Sequence, residues 1–468
     1  MVILEKNNKL LRSIFRAYDI RGVVDELLTE ELCYKIGLVF ASQCAIKKIV
    51  VGFDGRLSSP RLSDALITGL QKGGMKVFSI GLVPTPILYF AIYYLGVANG
   101  IMITGSHNPV QYNGLKIVQD YKSYFQESII SLYHAIVNGD SSVNQSTLKS
   151  AQKSDIVSID ACAPYVARIV ADIGTLRSIP VVLDPAHGAT ASIASSLFTS
   201  LGCDVHALYD TVDGTFPAHH PDPSKPENLK DLIHEVVSRK ALVGIAFDGD
   251  GDRLGVVDEL GRIIMLDDIL ALYCTEVLGQ HPGASIVFDV KCSPSLERHI
   301  KQLTGIPVMS KTGHSYIKTE ILKQHALLGG EMSGHVFFND SWYGFDDGLY
   351  SAARLLKILS KENNSHVLLS IPERACTHEI LVTMPEGDEI IFMEKFMQLA
   401  DQFQPAQVNM LDGIRVEYQH CWGLVRASHT TPSIVMRFEG DTVDNLRWVQ
   451  EKFKSVLLQV NPIIELPF

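Results

Sequence analysis

Three runs of β-branched residues each end in an aspartate and a polar turn: KIVVGFDGR (Lys48 to Arg56), IPVVLDPAHG (Ile179 to Gly188) and ASIVFDVKCS (Ala284 to Ser293). Unbroken apolar runs of this length suit strands covered on both faces, as in parallel sheets packed between helices. Their aspartates, Asp54, Asp184 and Asp289, recur at about the length of one domain. We read the runs as the first buried strands of three related α/β units. Buried parallel strands resemble one another at this level, so each run taken alone carries little.

The rest of the chain agrees with that reading. Strand-like and helix-like segments alternate through most of its 468 residues, which points to α/β architecture with about three or four domains. Linkers are expected where the pattern fades: Asn138 to Ser154, rich in Ser, Asn and Gln; the turn Asp258 to Arg262; and Lys361 to Ser365. The expected units are therefore 1–152, 153–258, 259–368 and 369–468. The last differs in kind, with a strand, a helix over Ile391 to Phe403, shorter strands, and a closing helix near Asp444 to Leu457; it reads as α+β.

Composition narrows the function. A formal net charge of −11 argues against non-specific binding of nucleic acid or anionic membranes, so any anion must be held by local cations. Eight scattered cysteines form no C-x-x-C pair and read as reduced thiols of a cytoplasmic protein. The charged N-terminal stretch has no apolar core of signal-peptide length. The charge-free segment Val77 to Ser106 is punctuated by Pro84, Pro86, Gly96 and Gly100. It reads as a short buried helix followed by a buried strand, and no membrane span is expected.

Two stretches carry chemistry. ITGSHNPVQYNGLK (Ile103 to Lys116) leaves an apolar run and presents Ser106 between Gly105 and His107. A serine beside an imidazole in such a loop is a candidate nucleophile, although such a pair also serves in turns that satisfy their own backbone groups. Far downstream, DGDGDR (Asp248 to Arg253) follows the apolar run LVGIAF. Asp248, Asp250 and Asp252 on one tight loop repel strongly unless a cation neutralises them, and all-oxygen ligands suit Mg²⁺, Mn²⁺ or Ca²⁺. An EF-hand is the alternative, since Glu259 falls at its twelfth position, but Arg253 stands at the sixth, where glycine is needed. A phosphoryl group on Ser106 would complete a hard metal's ligand set, with Arg253 offsetting its charge. Together the two loops point to phosphoryl transfer through a phosphoserine.

FRAYDIRG (Phe15 to Gly22), VGFDGRLSSP, TGSHNP with NGLK, DGDGDR, KTGHS (Lys311 to Ser315), GEMSGH (Gly330 to His335), FDDG (Phe345 to Gly348) and RASHTTP (Arg426 to Pro432) follow in order. In these the chain resembles the α-D-phosphohexomutase superfamily, in its bacterial phosphomannomutase/phosphoglucomutase branch. The resemblance spans nearly the whole chain. It implies three topologically similar α/β domains and a C-terminal α+β lid around a central cleft. It implies Ser106 as the phosphoserine, with Ser106, Asp248, Asp250 and Asp252 around Mg²⁺. It further implies interconversion of hexose 1- and 6-phosphates of mannose and glucose through a hexose 1,6-bisphosphate, with glucose or mannose 1,6-bisphosphate as activator.

On the same footing, Glu331 and Ser333 would bind sugar hydroxyls. Arg426, Ser428, His429, Thr430 and Thr431 would grip the phosphate that is not transferred, and Lys291 and Arg253 would add positive charge. Tyr18 would line the cleft wall. Proton-transfer candidates are Lys116, Arg21, His314 and His335; a lysine among Mg²⁺ and other cations is expected to have its pKa lowered toward neutrality. For the histidines, orientation of the sugar or its phosphate is an equal alternative. His107 is expected to support the serine loop. His429 stands where the family pattern has asparagine, so phosphate affinity is expected to vary with pH between about 6 and 7. Met332, where the phosphoglucosamine mutase branch carries glutamine, disfavours that alternative. A Mg²⁺-dependent phosphatase is the other. The family implies a monomer acting on a small phosphosugar.

Overall fold

The computed structural model describes residues 10–138, 156–361, 366–428 and 431–468. Its strands are β1 (Ile20–Val23), β2 (Lys48–Phe53), β3 (Lys76–Leu82), β4 (Gly100–Ile103), β5 (Tyr112–Gln119), β6 (Lys122–Ser123) and β7 (Val157–Ser158) in a first sheet; β8 (Pro180–Asp184), β9 (Asp204–Ala207), β10 (Val243–Phe247), β11 (Leu254–Asp258) and β12 (Ile263–Ile264) in a second; β13 (Ser285–Asp289), β14 (Ile306–Ser310), β15 (Leu328–Gly330) and β16 (Val336–Phe338) in a third; and β17 (Ala375–Cys376), β18 (Ile380–Thr383), β19 (Gln407–Asn409), β20 (Ile414–Glu417), β21 (Cys421–Ala427) and β22 (Ser433–Gly440) in a fourth.

The repeat read from the sequence is realised in the first three sheets. Each has a parallel centre, β4-β2-β3-β7, β10-β8-β9 and β14-β13-β15, with antiparallel strands added at one side. The recurring aspartates stand at the carboxyl ends of β2, β8 and β13, where open α/β sheets bind ligands. Each aspartate ties down the loop that follows: Asp54 accepts from Arg56 N at 3.0 Å and Asp184 from Ala186 N at 2.9 Å. Asp289 accepts from Cys292 Sγ at 3.2 Å and from Met332 N at 3.2 Å. The fourth sheet is antiparallel throughout and is backed by the helix Val443–Val460.

The divisions between units differ from expectation at two points. The first sheet takes in β7, beyond the expected break at 152/153, because the chain pairs with β3 before leaving. The turn at 258–262, expected to separate units, is a hairpin that joins β11 to β12 within the second sheet. Most of the first and third expected linkers, 139–155 and 362–365, lies outside the described residues. The helix expected over 391–403 is a helix at Asp388–Met397 followed by a 3-10 turn at Ala400–Phe403. Gln404, at φ −54° and ψ 143°, leaves the helical region and closes the segment.

The charge-free segment forms the helix Thr85–Tyr94 and then β4. Pro86 in the first turn costs no hydrogen bond there. The helix is apolar all round because Thr85 to Ile92 are buried on every side; only Tyr93 and Tyr94 at its end reach the surface. Phe90 packs on Tyr165 of the helix Cys162–Ile173 and on Trp342 beyond β16. One continuous apolar cluster therefore runs through the first three units. The fourth has an apolar cluster of its own. It meets the third through a small contact of Val290 with Trp422 and Leu424 and through ion pairs. Arg374 reaches Asp267 at 2.8 Å, Asp268 at 2.6 Å and Glu439 at 3.0 Å. Lys291 pairs with Glu379 at 2.5 Å. Among the described residues no helix is long and apolar enough to cross a membrane.

Candidate active site

The carboxyl ends of the first three sheets and the fourth unit surround one cleft of about 500 Å³. The serine loop enters it from β4. Ser106 takes a left-handed conformation, φ 46°, and its N–H is held by Thr104 Oγ1 at 2.8 Å. A side chain at Gly105 would collide with the Arg56 guanidinium, 2.3 Å from the position of its Cβ. The metal loop enters from β10. Asp248 Oδ1 ties it by accepting from Gly251 N at 3.0 Å and Arg253 N at 3.2 Å. The loops of the two units touch: a Cβ on Gly249 would lie 2.5 Å from Ser106 O. The Ser106 hydroxyl donates to Asp248 Oδ2 at 2.8 Å. Its oxygen also lies 3.1 Å from His107 Nδ1, so the histidine expected only to support the loop is within hydrogen-bond reach of the nucleophile.

Asp248, Asp250 and Asp252 are fully buried and can each offer an oxygen, all within 4.8 Å of one another. Asp250 Oδ1 and Asp252 Oδ1 have no hydrogen-bond partner among the described residues. The remaining oxygen of Asp250 accepts from Thr85 at 2.6 Å, Thr104 at 3.0 Å and Lys116 at 2.7 Å, and Lys116 also bonds Asp252. Burial and then the charges of Asp252 and Asp250 push the Asp248 carboxyl well above the usual carboxylate range. Asp250 is held below it: burial would raise it, but Lys116 and the hydroxyls outweigh burial. Three converging carboxylates with orphaned oxygens fit a divalent cation of oxygen preference.

The proton-transfer candidates separate. Arg21 is buried, bonds Asp19 at 2.7 Å and Asn108 at 2.8 Å, and also donates to Gly105 O. Burial lowers its pKa, but Asp19, Asp250 and Asp252 raise it further, which holds it as a cation. Lys116 faces the metal-loop carboxylates: burial lowers its pKa, but Asp250 and Asp252 outweigh burial and raise it, whereas the expected lowering was for a lysine beside Mg²⁺. His335 accepts from Arg253 Nε at its Nε2, 2.9 Å away, and its Nδ1 lies 3.1 Å from Asp346 Oδ2. That geometry fixes the tautomer, with the proton on Nδ1. His314 stacks on His335 at 5.6 Å, and its Nδ1 is 3.5 Å from the same Asp346 oxygen. Burial and then Lys318 hold the His314 pKa well below the usual value.

Around the rest of the cleft, Glu331 accepts from Gly313 N and Ser333 lines the wall nearby. Tyr18 donates to Thr312 O at 2.8 Å and stands edge-on to His314. Lys291 also lines the cleft, paired with Glu379 as above and 3.7 Å from Asp289. Arg426 donates to Asp412 at 2.9 Å, and Ser428 Oγ accepts from Thr431 Oγ1 at 3.0 Å. His429 and Thr430 lie outside the described residues. The cleft thus brings together the expected residues from all four units, except those two. Sequence reasoning passed over Thr85, Thr104, Asp346 and Glu379. Asp346 had a signal, because FDDG was among the motifs quoted; a lone Thr85 inside an apolar run had none.

Three family models match in sequence order: the alpha/beta/alpha domains I, II and III of phosphoglucomutase/phosphomannomutase, over residues 12–139, 163–261 and 266–374. A phosphomannomutase/phosphoglucomutase of Pseudomonas aeruginosa is 46% identical over 461 residues, 97% of this chain and 98% of that protein. A phosphoglucomutase of Neisseria gonorrhoeae is 43% identical over 458 residues, again 97% and 98% of the two chains. The crystal structure of a phosphoglucomutase/phosphomannomutase family protein from Burkholderia thailandensis superposes with a TM-score of 0.89 at 41% identity, covering 98% of this chain and 99% of that one. The chain belongs to the phosphoglucomutase/phosphomannomutase family, within the α-D-phosphohexomutase superfamily.

Proposed function

We propose that the chain interconverts hexose 1- and 6-phosphates of mannose and glucose, storing a phosphoryl group on Ser106 and passing through a hexose 1,6-bisphosphate. The observation that carries this reading is the 2.8 Å hydrogen bond from Ser106 Oγ to Asp248, between loops of two different units, beside two orphaned carboxylate oxygens. Asp248, Asp250, Asp252 and the phosphoserine would hold Mg²⁺, which neutralises phosphoryl charge when bound. In the transfer, a sugar hydroxyl attacks phosphorus and the P–Oγ bond of Ser106 breaks. The sugar hydroxyl gives up its proton as the departing Ser106 oxygen gains one; His335 Nε2 is engaged by Arg253 Nε, so with Asp346 behind it His335 orients that arginine toward the phosphoryl group. Arg21 and Lys116 supply fixed positive charge rather than protons. Glu331 and Ser333 read sugar hydroxyls, Lys291 adds charge, and Arg426 with Ser428 and Thr431 holds the second phosphate. Hexose 1,6-bisphosphate serves as activator because it re-phosphorylates the serine. The protein is proposed to act as a cytoplasmic monomer.

The test follows hexose 6-phosphate and free phosphate together, from mannose 1-phosphate with Mg²⁺ and catalytic glucose 1,6-bisphosphate. Isomer without free phosphate is expected; stoichiometric free phosphate would make the protein a phosphatase, and turnover confined to glucosamine 1-phosphate would favour the phosphoglucosamine branch. Ser106→Ala is expected to remove most turnover, together with the added phosphoryl mass of the purified protein.

A further inference from the structure

Beneath the serine loop lies a fully buried cation that lines no part of the cleft. Arg56 follows β2, is 1% exposed, and is among the largest fully buried side chains of the protein. Its guanidinium is spent on the serine loop. Nη1 donates to Pro109 O at 2.8 Å and Tyr112 O at 3.0 Å; Nη2 donates to Ser106 O at 2.8 Å and Asn108 O at 2.6 Å. Asp54 holds the other side of the same arrangement. Its Oδ2 lies 3.4 Å from Arg56 Nε and accepts from Gly105 N at 3.0 Å; its Oδ1 accepts from Ser59 Oγ at 2.5 Å. From the second unit, the Phe216 ring covers the guanidinium at 5.2 Å.

We propose that Arg56 is a positioning residue for phosphoryl transfer, fixing the serine loop so that Ser106 Oγ stays aimed at the metal loop. The reading rests on the function proposed above. A loop that turns through a left-handed serine cannot pair its own carbonyls in regular fashion. Four of them instead converge on one planar donor, including the carbonyl of Ser106 itself. The orientation of that carbonyl sets where the Cα–Cβ bond of Ser106 points, and so the location of Oγ. Only a guanidinium presents donors in a rigid fork of this shape; an ammonium can satisfy fewer carbonyls and from one point. Phe216 makes the clamp shared between units, closing over the cation from the side that carries the aspartates.

The test compares wild type with Arg56→Lys, which keeps the charge beside Asp54 and Phe216 but not the fork. Steady-state kinetics, thermal unfolding, and intact mass after incubation with glucose 1,6-bisphosphate are measured together. For Arg56→Lys, kcat is expected to fall on the order of 10²-fold, the scale of a misaimed reacting group, with KM changed less than about twofold. Slower phosphorylation of Ser106 should accompany it. Millimolar guanidinium chloride should restore part of the kcat of Arg56→Ala. Wild-type kcat in Arg56→Lys would overturn the proposal. So would a loss of activity in proportion to the loss of folded protein, with turnover per folded molecule intact. If Arg56→Ala does not fold, the lysine variant alone decides. Absence of mutase turnover in wild type would instead defeat the functional reading, while the phosphorylation rate of Ser106 in the two proteins would still report on the clamp.

Discussion

At the scale of single residues, the site is a set of charges that cannot share a dry space without an ion. The three aspartates of the metal loop are fully buried, and among the described residues only Lys116 forms ion pairs with two of them. Asp250→Asn removes one carboxylate from a site whose orphaned oxygens await a cation, so the Mg²⁺ concentration for half-maximal activity should rise by at least about tenfold. A Mg²⁺ titration of turnover checks this, and an unchanged response would remove Asp250 from the ligand set. Asp346 sits behind His335, and Asp346→Asn leaves the imidazole free to choose the other tautomer. We expect kcat to drop by about 10²-fold with KM nearly constant, measured on the same mannose and glucose 1-phosphates. The motif-bearing residues of the site were legible in the sequence because each needs a particular chemical type at a fixed offset. Lys116 and Arg21 were legible as site residues but not in their protonation, because the sequence did not show Asp250, Asp252 and Asp19 arranged around them. Thr85 and Thr104, which converge on Asp250 from two places in the first unit, were invisible for the same reason.

At the scale of elements, the recurring strand-and-aspartate unit was legible in the order of residues once three runs were set side by side, since parallel strands buried on both faces leave an unbroken apolar run. The ends of the units were not. Edge strands such as β7 and β12 are two residues long, and nothing in so short a segment distinguishes pairing from a turn. The contact between β13 and the fourth unit carries a pH prediction. The Glu379 carboxyl is lowered to about 2; burial would raise it, but Lys291 at 2.5 Å prevails. A folded pKa below the ordinary 4.5 stabilises the fold above that pH, and the contribution is lost as pH falls from about 4.5 toward 2. Glu379→Gln should therefore lose stability less steeply over that window than wild type, as read by chemical denaturation at each pH; parallel curves would rule the pair out as a contributor.

At the scale of the whole molecule, one apolar cluster runs across three units, each of which also has a cluster of its own, and the fourth is joined to them mainly by ions. Relative motion of the fourth unit is the natural consequence, because polar interfaces of modest apolar area slide and open more readily than a continuous core. Arg374 bridges Asp267, Asp268 and Glu439, and removing one partner of buried pairs costs roughly 3–5 kcal/mol. Arg374→Met should thus split thermal unfolding into two calorimetric transitions, the fourth unit melting first; a single sharpened transition would mean that the units remain coupled by other contacts.

The helix Thr85–Tyr94 has no polar side to turn toward water. Cut from its neighbours, the first unit would show solvent a greasy rod that no surface loop conceals, and it should precipitate when expressed alone. A fragment carrying the first three units together keeps that rod covered and should stay in solution, so the smallest piece able to stand by itself is the trio rather than any one member.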